Sequence, residues 1–427
     1  MNFVEKYKLL GFYEHELKNS ILPYWLPRCE DRQFGGFINC YSNDGRQLAS
    51  YDKYTWSQGR FVWVFSRLAG TEAPVFSAEE RREFLRLAKN GVDFLMKYAL
   101  IGANDWRCSF LMERDGTHKV VSPGAPLDMS IYADCFVVLG LGMYSAVSGE
   151  KEPYTFAKKL YESIVDRVRS GRFNTLPYPL SPCYRAHGIP MILDNTAREL
   201  LRAAEVLDKD YVNRLKQDMI SYAEDILFHF TDAENAVHEI ITEDNRFFPQ
   251  ILGQHMNPGH TIEDVWFLLD ASELTDNPEW KKKIFEIAKK AFETGWDEEY
   301  GGLLHFCGME GGEPLGDDSG VENETMTKQL SGWGDKLWWP HSEALYTSLR
   351  CCFDSGNEEF LKWHDKVFDY TFRTFPQRDP EIREWQQIRL RDGSPQDKVV
   401  ALPVKDPFHI SRDLILIIEL LYKSIWG

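Results

Sequence analysis

Long hydrophobic runs and ordered cysteine patterns are both missing from this sequence. No stretch approaches the roughly 20 apolar residues that a membrane span requires. The segment from Met1 to Lys6 opens an amphipathic helix with charges throughout, which is unlike the charged-then-apolar order of a secretory leader. The eight cysteines form no CxxC pair and follow no regular spacing. Together these absences predict a reduced, cytoplasmic protein without a membrane partner.

Positive charge and the common catalytic signatures are scarce as well. Lys and Arg number 49 against 66 Asp and Glu, and this net charge of −17 argues against nucleic acid as a partner. The chain has no GxGxxG segment, no GxxxxGK[ST] phosphate loop, no HExxH or comparable zinc cluster, and no GxSxG elbow. No metal site is therefore predicted. Acid–base chemistry by histidines remains.

Helical periodicity extends along almost the whole chain. Apolar residues recur at helical spacing in twelve segments, which are 3–26, 55–69, 79–99, 131–148, 154–169, 188–206, 211–228, 261–272, 278–294, 340–353, 358–374 and 408–425. Helices with polar and aromatic motifs alternate with plainer ones. This alternation favours an inner ring of six helices wrapped by an outer ring of six, in one domain over residues 1–427. An open helical solenoid and an irregular helical enzyme are the alternatives.

Two fragments, Asp31–Phe37 and Asp297–Leu303, resemble each other. Each begins with an aspartate, continues through a pair of glycines and ends in a short apolar segment. Paired glycines supply the positive φ angles of tight turns. We predict short β-hairpins at the rim of the ring, with an architectural role.

The most informative segment runs from Asn257 to Trp266. It places His260 and Glu263 three residues apart at a predicted helix start, where they share a face. A histidine oriented by a carboxylate is a suitable general acid or base, although a helix-start histidine beside a surface glutamate would have the same pattern. A second histidine, His409, follows Pro407 at another predicted helix start and favours the catalytic interpretation.

Other predicted helix starts carry candidate substrate-binding residues. In the first, Trp56 is interleaved with Lys53, Gln58 and Arg60. A guanidinium beside an indole suits a sugar, because the sugar ring can stack while the guanidinium binds its oxygens or a developing oxyanion. A surface arginine packed on tryptophan is the alternative. The remaining candidates at helix starts are Tyr132, Asp134, His187, Met191, Trp339, His341 and Glu343.

Taken in order, these segments resemble the N-acylglucosamine 2-epimerase family. The most specific matches are Asn-Pro-Gly-His-x-x-Glu and Lys-Leu-Trp-Trp-Pro-His-Ser-Glu-Ala, and the match runs essentially end to end. The resemblance implies an all-α (α/α)6 barrel. It also implies that His260 and His409 are the acid/base pair, and that Arg60 and Glu263 are further catalytic residues. Arg412, in the last matching segment, joins the predicted substrate-binding set.

The resemblance also implies the substrate. We expect cofactor-independent interconversion of N-acetylglucosamine and N-acetylmannosamine, with proton removal at C2 and an enediolate intermediate. Cellobiose epimerases and mannose isomerases carry a histidine four residues after an asparagine in the third inner helix. Here His187 and Met191 take those places, which is closer to the acylglucosamine enzymes. One departure is Arg383, where those enzymes tend to have glycine.

Other functions remain open on the sequence alone. An aldose–ketose isomerase, or a 2-epimerase of unsubstituted sugars such as mannose or cellobiose, would use the same enediolate. A glycoside hydrolase needs two carboxylates across the scissile bond, for which Asp134, Glu263 and Glu343 are candidates. A non-catalytic binding protein would use the two helix-start histidines structurally. ATP as an allosteric effector and a homodimer are further expectations, although no phosphate loop assigns an ATP site.

Overall fold

The computed structural model describes all 427 residues, and its ordered elements are mainly helical. The α-helices are α1 Phe3–Glu16, α2 Leu22–Trp25, α3 Thr55–Gly70, α4 Ala78–Tyr98, α5 Ile131–Ser148, α6 Lys151–Arg169, α7 Gly188–Leu207, α8 Lys209–Asp225, α9 Pro258–Ser272, α10 Pro278–Gly295, α11 Thr325–Gln329, α12 Trp338–Ser355, α13 Glu359–Thr374 and α14 Phe408–Trp426. Each of the twelve predicted segments has a helical counterpart. The first is divided, because a π-helical turn at Leu17–Ile21 separates α1 from α2. The short α11 was not predicted.

The β-strands are two to four residues long and pair only antiparallel. They are β1 Lys53–Tyr54, β2 Leu100–Gly102, β3 Asp105–Cys108, β4 Leu111–Met112, β5 His118–Lys119, β6 Tyr184–Ala186, β7 Ile240–Thr242, β8 His255–Met256, β9 Cys307–Gly308, β10 Lys336–Leu337 and β11 Ile388–Arg389. β1, β4 and β5 form a three-stranded sheet, and the others form the pairs β2–β3, β6–β7, β8–β9 and β10–β11. Four of these strands, β1, β6, β8 and β10, end within two residues of the first residue of a helix.

The chain divides into two compact units, each built from separate segments. The His260 unit comprises Met1–Glu5, Tyr178–Asp194 and Met219–Val400. The His409 unit comprises Lys6–Pro177, Asn195–Asp218 and Ala401–Gly427. In the His409 unit, α5 is long and apolar enough to cross a membrane, yet 78% of it is buried in the protein, as expected of a core helix.

Each unit contains the same buried ion-pair motif at one of the two glycine turns. In the His409 unit, Asp31 accepts from Lys53 Nζ at 3.0 Å and from Arg114 through both carboxylate oxygens. In the His260 unit, Asp297 accepts from the ammonium of Lys336 at 2.9 Å, and Arg391 binds both of its oxygens in the same way. Both lysines are fully buried. The sequence echo therefore reflects an internal structural repeat.

The repeat extends to Gln58 and His341, each five residues after its lysine. The N–H of Phe37 donates to Gln58 Oε1 at 2.7 Å, and the N–H of Leu303 donates to His341 Nε2 at 2.9 Å. Burial lowers the pKa of His341 to about 3, so its ring is neutral and this nitrogen can accept. A substrate-binding role for Lys53, Gln58 and His341 stays a prediction. Their side chains are buried and hold the glycine turns.

Candidate active site

His260 stands in the first turn of α9, and its backbone fixes where the helix begins. Asn257 caps the helix, because its side-chain oxygen accepts from the N–H of His260 at 3.1 Å. Pro258 occupies the first helical position, where no hydrogen bond is lost. The His260 side chain remains 24% exposed and its ring lies 5.3 Å from the indole of Trp339. His260 is therefore both anchored and accessible.

The carboxylate that orients His260 is Glu239. Its Oε1 lies 2.9 Å from Nδ1 of His260, so the predicted orienting role of Glu263 is corrected. Burial alone would raise the pKa of Glu239, but the charges of His260 and His187 and the hydrogen bond from His260 hold it well below its usual range. An ionised carboxylate only accepts, so His260 donates through Nδ1 and leaves Nε2 for proton transfer.

Sequence reasoning missed Glu239 because the residue carries no local signal. It precedes β7, 21 positions before His260, and no helical spacing links the two. Its position comes from strand pairing: β6 and β7 are antiparallel, and the N–H of His187 donates to the carbonyl of Glu239 at 2.9 Å just beyond their last paired residues. The sequence shows only a charged residue in the link between the predicted helices 211–228 and 261–272.

His187, a predicted substrate-binding residue, is buried between two carboxylates. The side chain is fully buried, with Nε2 3.0 Å from Asp264 Oδ2 and Nδ1 3.7 Å from Glu239 Oε2. Burial alone would lower the pKa of His187, but these two carboxylates raise it to about 9. His187 is thus an internal cation between two acids, and its role in substrate binding stays a prediction.

His409 is contacted by two guanidinium groups, whereas His260 is contacted by a carboxylate. Arg60 Nη2 lies 3.2 Å from its Nε2, and Arg412 Nη2 lies 3.2 Å from its Nδ1. Asp406 binds Arg60 Nη1 at 3.1 Å and accepts from the N–H of His409 at 3.3 Å. The structure thus brings together three residues that the sequence analysis singled out, and it adds Asp406, which the sequence analysis did not.

The guanidinium of Arg60 is enclosed by aromatic rings. Its central carbon lies 5.1 Å from the ring centre of Trp56, 4.3 Å from Phe136 and 5.0 Å from Phe408, distances at which cation–π attraction operates. Gly59 allows this arrangement, because a Cβ there would lie 2.2 Å from the carbonyl oxygen of Phe136 on α5. The close approach of α3 and α5 therefore positions Arg60.

Asp134 is a structural residue in this fold. It is buried, forms an ion pair with Arg167 and accepts from the N–H of Cys108 at 3.0 Å. Burial raises its pKa, and Arg167 opposes that shift. A substrate contact of Asp134 stays a prediction, and in this structure its carboxylate is directed to protein groups.

The remaining predicted residues take various positions. Tyr132 is partly exposed and its ring packs 5.5 Å from the indole of Trp56. Met191 lies buried one turn after His187 on α7. Glu343 is buried, and its Oε2 accepts from the indole N–H of Trp266 at 3.1 Å. For Glu263, Met191 and Glu343, a role in catalysis or substrate binding stays a prediction.

One group has the chemistry of a metal-ligand set. Single ligand atoms of His187, Glu239 and His260 lie within 4.8 Å of one another, and imidazole and carboxylate are common ligands of divalent metals. Within this group Nδ1 of His260 donates a hydrogen bond to Glu239, so a cation bound through those two atoms would replace that proton.

Known proteins resemble the chain over nearly its whole length. The family model for N-acylglucosamine 2-epimerase (GlcNAc 2-epimerase) matches residues 36–411. The N-acylglucosamine 2-epimerase of Homo sapiens is 32% identical over 408 residues, covering 94% of this chain and 88% of the relative. A cellobiose 2-epimerase of Dictyoglomus turgidum is 25% identical over 365 residues, covering 82% of each protein.

A solved structure supports the fold independently. The cellobiose 2-epimerase from Bacillus thermoamylovorans superposes with a TM-score of 0.76 at 18% identity, covering 96% of this chain and 99% of that one. At this identity the likeness shows the fold alone, and it confirms the predicted (α/α)6 barrel. The chain is therefore a carbohydrate epimerase that belongs to the N-acylglucosamine 2-epimerase family.

Proposed function

We propose that this chain interconverts N-acetylglucosamine and N-acetylmannosamine without a cofactor, with His260 and His409 as its acid/base pair. The acetamido sugar is favoured because identity to the human N-acylglucosamine enzyme is 32%, against 25% to the cellobiose enzyme. Met191 supports the same choice, since it stands where the cellobiose epimerases carry a histidine.

The observation that carries the proposal is the contrast between the two histidines. Glu239 only accepts, so it holds His260 as a donor through Nδ1. Arg60 and Arg412 only donate, so a neutral His409 ring can accept from one of them, at its single unprotonated nitrogen. The two histidines are therefore distinguished by their charged neighbours, a carboxylate at His260 and two guanidinium groups at His409. Epimerisation requires both, because the proton leaves one face of C2 and returns to the other.

The reaction balances with these groups alone. The base takes the C2 proton of the open-chain sugar, and the C2–H electrons form the C1–C2 double bond of an enediolate while charge develops on O1. A guanidinium stabilises this oxyanion, for which we assign Arg60. The other histidine then protonates C2 from the opposite face. The first histidine releases to solvent the proton that it took from C2, and the second histidine regains a proton from solvent.

Deuterium labelling tests the reaction. N-acetylmannosamine is incubated with the enzyme in D2O, and the C2 protons of substrate and product are followed by NMR. We expect N-acetylglucosamine to form with deuterium at C2 from the earliest time points. Product that retains its C2 proton would refute transfer between two bases that exchange with solvent.

Histidine variants test the assignment of roles. His260→Asn and His409→Asn each remove the imidazole base, and each should lower kcat at least about a hundredfold with little change in melting temperature. The control is His229→Asn, because His229 lies on the surface and pairs only with Asp225. Activity of His409→Asn within about threefold of wild type would exclude His409 as a catalytic base.

A sugar panel separates the proposal from its alternatives. Free mannose, glucose, cellobiose and both N-acetylhexosamines are compared, and each product is identified as aldose or ketose. A ketose from mannose would favour an aldose–ketose isomerase, which needs only one base. ATP as an effector, a homodimer and a cytoplasmic location stay predictions.

A further inference from the structure

Four side chains, among them that of His260, form a ring of contacts that the backbone of α9 closes. His260 and Asp264 are four residues apart on α9, so they lie one turn apart on one helix face. Glu239 and His187 face each other just beyond the β6–β7 ladder. Acids and histidines alternate around the ring: His260 contacts Glu239, Glu239 faces His187, and His187 contacts Asp264. The residues at the two ends of this series of contacts, His260 and Asp264, therefore belong to the same helix.

Three of these four side chains are buried. His187 is fully buried, and Glu239 and Asp264 are buried as well, whereas His260 keeps partial exposure. A carboxylate removed from water is strongly destabilised unless a cation or donors face it. Oε1 of Glu239 faces His260 and Oε2 faces His187. His187 is thus the internal counter-ion of the group that orients His260.

The contacts of His187 are unequal. Nε2 makes a hydrogen bond to Asp264 at 3.0 Å, whereas Nδ1 approaches Glu239 only to 3.7 Å, beyond hydrogen-bond distance. Asp264 therefore sets the orientation of the His187 imidazole, and His187 acts on Glu239 mainly through its charge. This arrangement leaves Glu239 free to hydrogen-bond fully to His260.

We propose that His187 and Asp264 are positioning residues, which hold Glu239 and, through it, His260 in the geometry for proton transfer. The inference rests on the proposed function of His260. It assigns to His187 a task that involves no contact with the sugar. The reaction rate, more than substrate affinity, should therefore respond to changes in this pair.

The test combines single and double variants, assayed with N-acetylmannosamine. His187→Gln removes the internal cation, and Asp264→Asn removes the charge that directs it. Each should lower kcat about ten- to a hundredfold, the scale of a small misplacement of a catalytic group, with KM within about threefold. Each should also change the pH dependence of kcat. In the Glu239→Gln background, His187→Gln should have no further effect on kcat, because His187 acts on His260 only through the carboxylate of Glu239, which that background lacks.

The control is His364→Gln, since His364 is a fully buried histidine of α13 in the same unit. It should lower the melting temperature as His187→Gln does, while the pH dependence of kcat stays that of wild type. The proposal is overturned if His187→Gln changes only melting temperature, or if its effect on kcat persists in the Glu239→Gln background. Failure of the wild type to epimerise any N-acetylhexosamine would instead overturn the proposed function.

Discussion

Replacing Glu239 by glutamine is the sharpest test of how His260 is activated. The change preserves size and the hydrogen-bonding shape of the side chain, but it removes the charge that faces His260 at 2.9 Å. A hydrogen bond to a charged group contributes about 1.5–3 kcal/mol. If that contribution is present mainly in the transition state, kcat should fall roughly 10- to 150-fold.

The assay compares kcat and KM for N-acetylmannosamine over a range of pH, together with urea unfolding. We expect KM to change little, because Glu239 is buried behind His260 and does not face the sugar. The matched control is Glu199→Gln, since Glu199 is an equally buried carboxylate that binds Trp63 and Arg198. It should reduce stability without the loss in kcat.

The reasoning is refuted if Glu239→Gln retains kcat within about threefold of wild type, since the charge would then contribute less than ~1 kcal/mol to the transition state. It is also refuted if the two variants lose the same fraction of kcat. That outcome would mean that the loss reflects general destabilisation. A loss confined to KM would place Glu239 in substrate binding.

Three further predictions concern stability, each measured as the free energy of unfolding in urea. Lys336→Met should cost about 3–5 kcal/mol, because it leaves Asp297 with one cation fewer in a buried site. Gly302→Ala should cost about 1–3 kcal/mol more than Gly312→Ala, because both have positive φ but only a Cβ at 302 would meet Tyr370, at 2.4 Å. The pKa of His187 is raised from 6.5 to about 9 on folding, so its stabilisation is fully present below pH 6.5 and disappears as pH rises through 9. Wild type should therefore lose about 3 kcal/mol across that window that His187→Gln does not lose, and equal slopes for the two proteins would contradict the assignment.

Local sequence patterns predicted the helices and both histidine-bearing helix starts. Apolar spacing depends only on neighbouring residues, so the α9 start at Pro258 could be anticipated from Asn257, Pro258 and the apolar residues after them. The same kind of reasoning could not anticipate the contacts of Lys53 and His341 with the two glycine turns. An interleaved polar residue at a helix start looks the same whether it faces a ligand or a backbone turn, and only the packing of the turn decides between them.

Contiguous residues were enough to predict the helical fold, the positions of His260 and His409 at helix starts, and the family, since periodicity and short motifs are properties of neighbouring residues. The tertiary structure alone decided which groups surround those histidines. Glu239 reaches His260 through strand pairing, and Arg60 reaches His409 across 349 positions. Such pairs are set by the register of β6 and β7 and by the packing of α3 near α14. A contact that forms only when distant elements pack has no signature in the spacing of residues along the chain. The charged neighbours of His260 and His409 could therefore be identified only from the fold.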